Sequence, residues 1–341
     1  MKKHGNGLVA TVKYVSIGIG SERSFLLMGL LAVITTIFGI TTPRFLTYPM
    51  FNVIMSQCAE IGLMGLGMSL AWMINGVDLT VNDVANLTAL TAAMTIRQFA
   101  YLGSLSFPSL LLSYCAALLT GGFCGAINGF LIAYLNIPPI LATLGGLTLY
   151  RGISIAVTGG KTIAGLPTEV ALIGRGVLWK IPIPFVILLV VFSLIFVLLK
   201  YTTFGFKVKM VGINVKAAHF SGINYRKIIM IIYILSGFLA ALAGIIIMGR
   251  TRSVAYEYGT QVYIVFALLI TNLAGTSAGE HSAIAVFLAT LILQILSTGF
   301  YLRFMTLPGG PFFNNFLWGL FLVVILILAQ LLKRLREQKS S

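Results

Sequence analysis

QFAYLGSLSFPSLLLSYCAALLTGGFCGAINGFLIAYLNIPPILATLGGLTLY, residues 98–150, runs for 53 residues without one Asp, Glu, Lys or Arg. A membrane-crossing helix takes about 20 apolar residues, so this stretch holds two. The break between them is Asn136-Ile137-Pro138-Pro139, where proline cannot continue the preceding helix. The same reading extends outward. Residues 181–199, 228–249, 258–279, 282–302 and 304–332 carry no charge, and residues 45–59 and 61–77 are split only by Glu60. Over all 341 residues, 58% are apolar and 9% charged, with a mean hydropathy of +1.00. A soluble domain carries about 25% charged residues. These figures exclude a soluble enzyme, a disordered chain and a coiled coil. Backbone polar groups in lipid must be paired inside helices, so the expected fold is an all-α polytopic membrane protein.

About ten transmembrane helices are expected, near 24–42, 50–74, 78–97, 107–134, 139–157, 182–199, 228–248, 260–274, 283–300 and 312–332. The third contains Asp78 and Asp83 and reads as a span facing protein rather than lipid. Residues 1–24 form a basic N-terminus, 25–332 the transmembrane domain and 333–341 a basic tail. No small-residue cleavage site follows the apolar residues 25–40, which read as a retained signal anchor.

The formal net charge is +15. On a membrane chain this reflects the enrichment of Lys and Arg in cytoplasmic loops, not nucleic-acid binding. With the N-terminus inside and ten spans, 14 basic residues fall inside and 8 outside. The inside set includes Lys200, Lys207, Lys209, Lys216, Arg226 and Lys227; the outside set includes Lys161, Arg175, Lys180, Arg250 and Arg252. Both termini and the loop 200–227 are therefore expected in the cytoplasm. Arg151 lies within a span, near its end, and is expected to snorkel to the interface.

Some motifs lead nowhere. Gly160-Lys161-Thr162 resembles the end of a phosphate-binding loop, but the required glycine five positions earlier is Ile155. The chain is not expected to bind ATP itself. His4, His219 and His281 are scattered, and Cys58, Cys115 and Cys124 lie in apolar surroundings, so no catalytic set, metal site or disulfide framework is expected.

Three patterns carry more. Gly121, Gly125 and Gly129 share one helix face, where small residues let helix backbones approach closely in lipid; Ala240 and Gly244 repeat the device. The partner, in this chain or another, is left open. Asn75, Asp78, Thr80, Asn82, Asp83 and Asn86 gather polar groups between apolar stretches, at a depth where ionisable groups are costly and usually functional. Gly76 can break a helix there, exposing backbone groups to a hydroxylated substrate. Asp78 can instead cap the next helix, and both can hold. Glu60 is a separate intramembrane acid that packs against a polar neighbour or meets substrate. In the basic loop, Asn214 can cap a short helix through Phe220, Ala217 and Ala218 keep it thin enough for a groove on another protein, and Gly222 can end it.

Those last residues carry a resemblance. Gly212-x-Asn214-x-x-Ala217-Ala218-x-x-Ser221-Gly222-Ile223 resembles the cytoplasmic coupling segment of ABC importer permeases, in the branched group that imports ribose, xylose, galactose, arabinose and autoinducer-2. Asn75-Gly76-Val77-Asp78-Leu79-Thr80-Val81 is similar to that family's GG-I/V-DLSVG, and Gly125-Ala126-Ile127-Asn128-Gly129 to its G-x-x-NG helix. Pro138-Pro139-Ile140-Leu141-Ala142-Thr143-Leu144-Gly145 with Tyr150-Arg151-Gly152 is similar to its PPFIATLG…YRG. The chain departs at Ile213, where the family usually has glycine, and at Asn82, where it also has glycine. The resemblance implies a permease subunit in a bacterial inner membrane. Its implied partners are separate ABC ATPase subunits that bind ATP and Mg, a second permease chain in a homo- or heterodimer, and a periplasmic substrate-binding protein. It also implies that Gly212, Asn214, Ala217, Ala218, Ser221 and Gly222 contact the ATPase. The alternative class is an ion- or proton-coupled secondary transporter titrating Asp78, Asp83 or Glu60.

Overall fold

The computed structural model describes residues 5–104, 106–259, 262–279, 282–304, 316–321 and 323. Most of the expected span 312–332 and all of the tail 333–341 lie outside the described residues. The α-helices among these residues include α1 (Gly5–Thr41), α2 (Tyr48–Met73), α3 (Val81–Tyr101), α4 (Phe107–Ala133), α5 (Pro139–Thr158), α6 (Ala171–Arg175), α7 (Ile183–Tyr201), α8 (Thr203–Ile213), α9 (Val215–Phe220), α10 (Tyr225–Thr251), α11 (Val262–Ala274) and α12 (Ala283–Phe304). Prolines stand in the first turns of α2, α4, α5 and α7, where a missing N–H breaks no helical bond. α1 continues upstream of the expected start at 24 and stops two residues before Pro43.

Among the described residues, seven helices are long and apolar enough to cross a membrane: residues 23–41 of α1, and α2, α4, α5, α7, α10 and α12. The chain is a multi-pass membrane protein. α11 is apolar but has only 13 residues. α3 is long enough but too polar, and its buried residues run almost without interruption from Val81 to Ala93. It lies inside the bundle, as a span facing protein should.

α10 sits at the centre because glycines let it. A Cβ on Gly125 would lie 2.2 Å from the Tyr233 carbonyl oxygen, and one on Gly121 2.5 Å from that of Gly237. A Cβ on Gly237 would return the clash, 2.1 Å from the Gly121 oxygen. The glycine face of α4 thus packs on α10 of the same chain. Along α10, Gly244 brings the helix against α3, where a Cβ would stand 2.1 Å from the Ala85 oxygen.

The connections collect at two ends of the bundle. At one, strand β1 (Ile163–Ala164) pairs antiparallel with β4 (Ser253–Val254), and β2 (Val177–Leu178) with β3 (Ile181–Pro182). Arg175 Nε donates to the Arg250 carbonyl, and Tyr48 at the start of α2 donates to the Lys180 carbonyl. At the other end, α8 meets the C-terminus of α2 and α9 packs on α8 and α10, and Gly279 N–H donates to the Met73 carbonyl at 2.9 Å. The 19 residues of α7 join the two ends, about 28 Å at 1.5 Å per residue.

Candidate coupling and transport site

Between α2 and α3 the helix is broken. Gly76 N–H turns back to the Ala71 carbonyl, and Asn75 adopts a left-handed φ of 58°, which asparagine tolerates better than most side chains. Gly76 is needed because a Cβ there would meet the Tyr233 hydroxyl at 2.5 Å. Asp78 follows, 2% exposed. Its Oδ1 accepts from the N–H of Thr80 at 3.0 Å and from the Thr80 hydroxyl, and its Oδ2 accepts from Ser236 on α10 at 2.6 Å. Asn128 on α4 donates to Thr80 Oγ1 at 2.9 Å, and the Tyr150 hydroxyl of α5 lies 3.0 Å from Asn128 Oδ1. One chain of hydrogen bonds therefore ties α10, the break, α4 and α5.

The rest of the polar segment is also placed. Arg151 holds Asp83 through both carboxylate oxygens, at 2.8 and 3.3 Å. Arg151 does not snorkel: it stands in mid-α5 and pairs with α3. Asn86 Nδ2 donates to the carbonyls of Tyr256 and Tyr258 and pins the loop after α10. Asn82 differs. It is fully buried, and neither amide atom has a hydrogen-bond partner among the described residues.

The basic loop 200–227 is mostly helical. α8 was not expected. Its buried residues Gly205, Val208, Val211 and Gly212 recur at helical spacing, a signal that the charge of the loop obscured. α9 occupies the expected positions. Asn214 Oδ1 accepts from the Ala217 N–H at 3.0 Å, and Gly222 leaves the helix at φ 78°. The two alanines face different ways. Ala217 is exposed, whereas Ala218 is fully buried against its own chain. The thin outward face is therefore carried by Ala217 alone, because one residue advances 100° around the six-residue helix. Phe220 at its end is 89% exposed, an aromatic that the sequence pattern did not single out. Ser221 and Gly222 lie exposed beside it.

The break and the basic loop touch. Asn75 Nδ2 donates to the Gly212 carbonyl at 2.7 Å, across 137 residues. Gly212 has no room for a side chain, since a Cβ would lie 2.1 Å from the Met73 oxygen and 2.5 Å from Gly279 N. Asn214, which caps α9, is two residues further on. The two sequence patterns are thus parts of one site at one end of the bundle.

The family described as branched-chain amino acid transport system / permease component matches residues 50–330. The chain belongs to this permease family. It is 34% identical over 252 residues to the galactofuranose transporter permease of Escherichia coli (strain K12), covering 73% of this chain and 71% of that one. It is 30% identical over 326 residues to the autoinducer 2 import system permease of Yersinia pseudotuberculosis serotype IB (strain PB1/+), covering 92% of this chain and 88% of that one. No solved structure matches. The resemblance carried by the four motifs is borne out.

In this permease a second buried charge pair lies away from the break. Glu60 on α2, with no exposure, accepts from Arg250 Nε, from Arg250 Nη2 at 3.1 Å and from the Tyr263 hydroxyl at 3.1 Å. Arg250 also donates to the Tyr258 hydroxyl. The acid packs against polar neighbours, one of the two roles expected for it. Arg250 was expected in an outside loop. It instead ends α10 and faces inward, because a buried carboxylate needs a counter-charge.

Proposed function

We propose that the chain is the membrane-spanning permease subunit of a binding-protein-dependent ABC importer that moves a sugar or sugar-like solute into the cytoplasm. ATP with Mg is hydrolysed on separate ATPase subunits, and a second permease chain and a periplasmic binding protein complete the assembly in a bacterial inner membrane. The family match supports this, as do relatives whose names give galactofuranose and autoinducer 2 as cargo. The observation that carries the coupling role is α9. It is a capped six-residue helix with Ala217 and Phe220 outward, joined through Gly212 to the broken segment at Asn75. In this reading α9 seats in a cleft of the ATPase, and ATP-driven closure is passed to the break. The secondary-transporter reading is weakened because Asp78, Asp83 and Glu60 are each engaged by donors of the chain itself.

Ten crossings follow if α3 and α11 are counted as spans shielded by protein and residues 312–332 as the last. With Arg250 set aside because it pairs with Glu60, the sequence leaves 14 basic residues inside to 7 outside, a bias that supports an inside location for the α8–α9 end and both termini. An impermeant thiol reagent added outside should reach a cysteine at Lys161 and miss one at Lys209; the opposite pattern overturns the orientation.

The coupling role is tested by Ala217→Glu. Overpacking a filled contact costs about 1–3 kcal/mol, which lowers affinity about 5- to 150-fold. The variant should insert normally, lose most co-purifying ATPase and lose uptake. Lys209→Gln, at an exposed position on α8, should do neither. Wild-type ATPase binding and transport by Ala217→Glu would make α9 a solvated connector.

A further inference from the structure

Hydroxyls on the outward faces of several spans close on their own helices. Thr36 donates to the Ala32 carbonyl, Thr148 to that of Leu144 and Ser193 to that of Leu189. Such bonds keep them satisfied against hydrocarbon. The seam between α2 and α12 is built differently. Gln294 Nε2 donates to Gln57 Oε1 at 2.7 Å and lies 3.1 Å from Thr298 Oγ1. Gln294 is 1% exposed, yet its Oε1 has no partner among the described residues. Asn52 Oδ1, on the same stretch of α2, is likewise buried without a partner.

Two cavities lie along α2, one on its α6–α10 side and one at the α2–α12 seam, and Gln57 lines both. One, of about 360 Å³, is walled by Asn52, Ser56, Gln57 and Arg250, with Arg175 at the loop side. The other, of about 310 Å³, is walled by Gln57, Ser297, Thr298 and Tyr301. Both volumes fall within the range of small-molecule sites, about 300–1,000 Å³. Gln57 is the tenth residue of α2 and Gln294 the twelfth of α12, each more than about 13 Å along its helix from its start. At that depth a partly open face of amides and hydroxyls is costly against lipid. It is the kind of surface that a water-filled passage requires.

We propose that the α2–α12 seam walls the aqueous path of this permease, with Gln57, Ser56 and Ser297 on the cavity walls meeting the hydroxyls of a neutral, hydroxyl-rich solute and Gln294 holding Gln57 from behind. The proposal rests on the permease reading and adds the α2–α12 seam to the Asn75–Asn86 segment as a solute-facing surface. Paired amides and hydroxyls offer donors and acceptors together, which suits a polyol. A cation would call for carboxylates, and none is among the described lining residues of either cavity. Arg250 is neutralised by Glu60, and Arg175 donates to a carbonyl at the rim.

The test uses the full complex of permease, ATPase and binding protein in membrane vesicles, with Cys58, Cys115 and Cys124 replaced by alanine. Single cysteines are placed by Ser56→Cys, Ser297→Cys and, on an exposed position of α7, Ser193→Cys. The probe is hydroxyethyl methanethiosulfonate, a neutral hydroxyl-bearing reagent that needs a hydrated, ionisable thiol. Cysteines at 56 and 297 should react about tenfold or more faster than the one at 193. Adding Gln294→Leu to the Ser56→Cys chain should slow its labelling several-fold by drying the seam. Reaction at 56 and 297 as slow as at 193, as in lipid or a dry protein interface, overturns the path. Labelling unchanged by Gln294→Leu removes the amide from it. Failure of the unsubstituted chain to hold the ATPase would strike the ABC-importer reading instead, independently of either result.

Discussion

Asp78 and Asn82 lie four residues apart, both buried, and their surroundings assign them opposite tasks. Asp78 accepts three hydrogen bonds from Thr80 and Ser236; Asn82 makes none with the described residues. Truncating Asp78 leaves buried donors unpaired, at about 1–3 kcal/mol each. Asp78→Ala should therefore lower the thermal midpoint of the purified protein by several degrees. Asn82→Leu replaces an unpaired amide with an apolar group of similar size, which is close to neutral or stabilising. It should keep the wild-type midpoint while reducing uptake, since a buried amide left unpaired by the described residues points to a hydrogen bond made with water or solute. Light-scattering melts with an uptake assay separate the two. An unchanged midpoint for Asp78→Ala would contradict the bonding described. The sequence made the cluster visible through its polarity but not this division. Ser236 is 158 residues from Asp78, and Arg151 is 68 from Asp83, so neither partner is legible in the local pattern.

At the scale of elements, what could be read ahead depended on short-range rules. The stretch 98–150 resolves into α4 and α5 with the break at Asn136–Pro139, and Asn214 caps α9 as its spacing requires. The glycine face of α4 was equally visible, but its partner was not, because α10 lies a hundred residues on. α8 was not legible because Lys207 and Lys209 interrupt its apolar pattern and mask the buried spacing of Gly205, Val208 and Gly212. Ala218 was misassigned for want of knowing which side of a six-residue helix the bundle occupies. The α4–α10 seam gives its own prediction. Gly125→Val drives a side chain into the Tyr233 backbone, 2.2 Å away at Cβ, and should cost at least about 1–3 kcal/mol. Size-exclusion chromatography should show loss of the monodisperse peak. Gly145→Ala, on α5 with nothing within 4 Å, should leave it intact or gain about 0.5–1 kcal/mol of helix stability. Equal behaviour of the two variants would mean that α4 does not meet α10 closely.

On the scale of the whole molecule, the two ends are built for different work. One carries the small strand pairs and the rim of the cavity between α2, α6 and α10; the other carries α8, α9 and the break. α2 runs between them, from the Tyr48–Lys180 contact to the Met73–Gly279 contact, so a push on α9 has a short route to the body of the bundle through Gly212 and Asn75. The most direct test of that route is the amount of solute taken up per ATP hydrolysed, in vesicles holding the permease with its ATPase and binding protein. Asn75→Gly suits it, because glycine keeps the left-handed turn at φ 58° while the bond to Gly212 is removed. With that bond worth about 1 kcal/mol, the variant should bind the ATPase and hydrolyse ATP as wild type does, yet move about five-fold less solute per ATP. An unchanged ratio of solute to ATP would contradict transmission from α9 to the break.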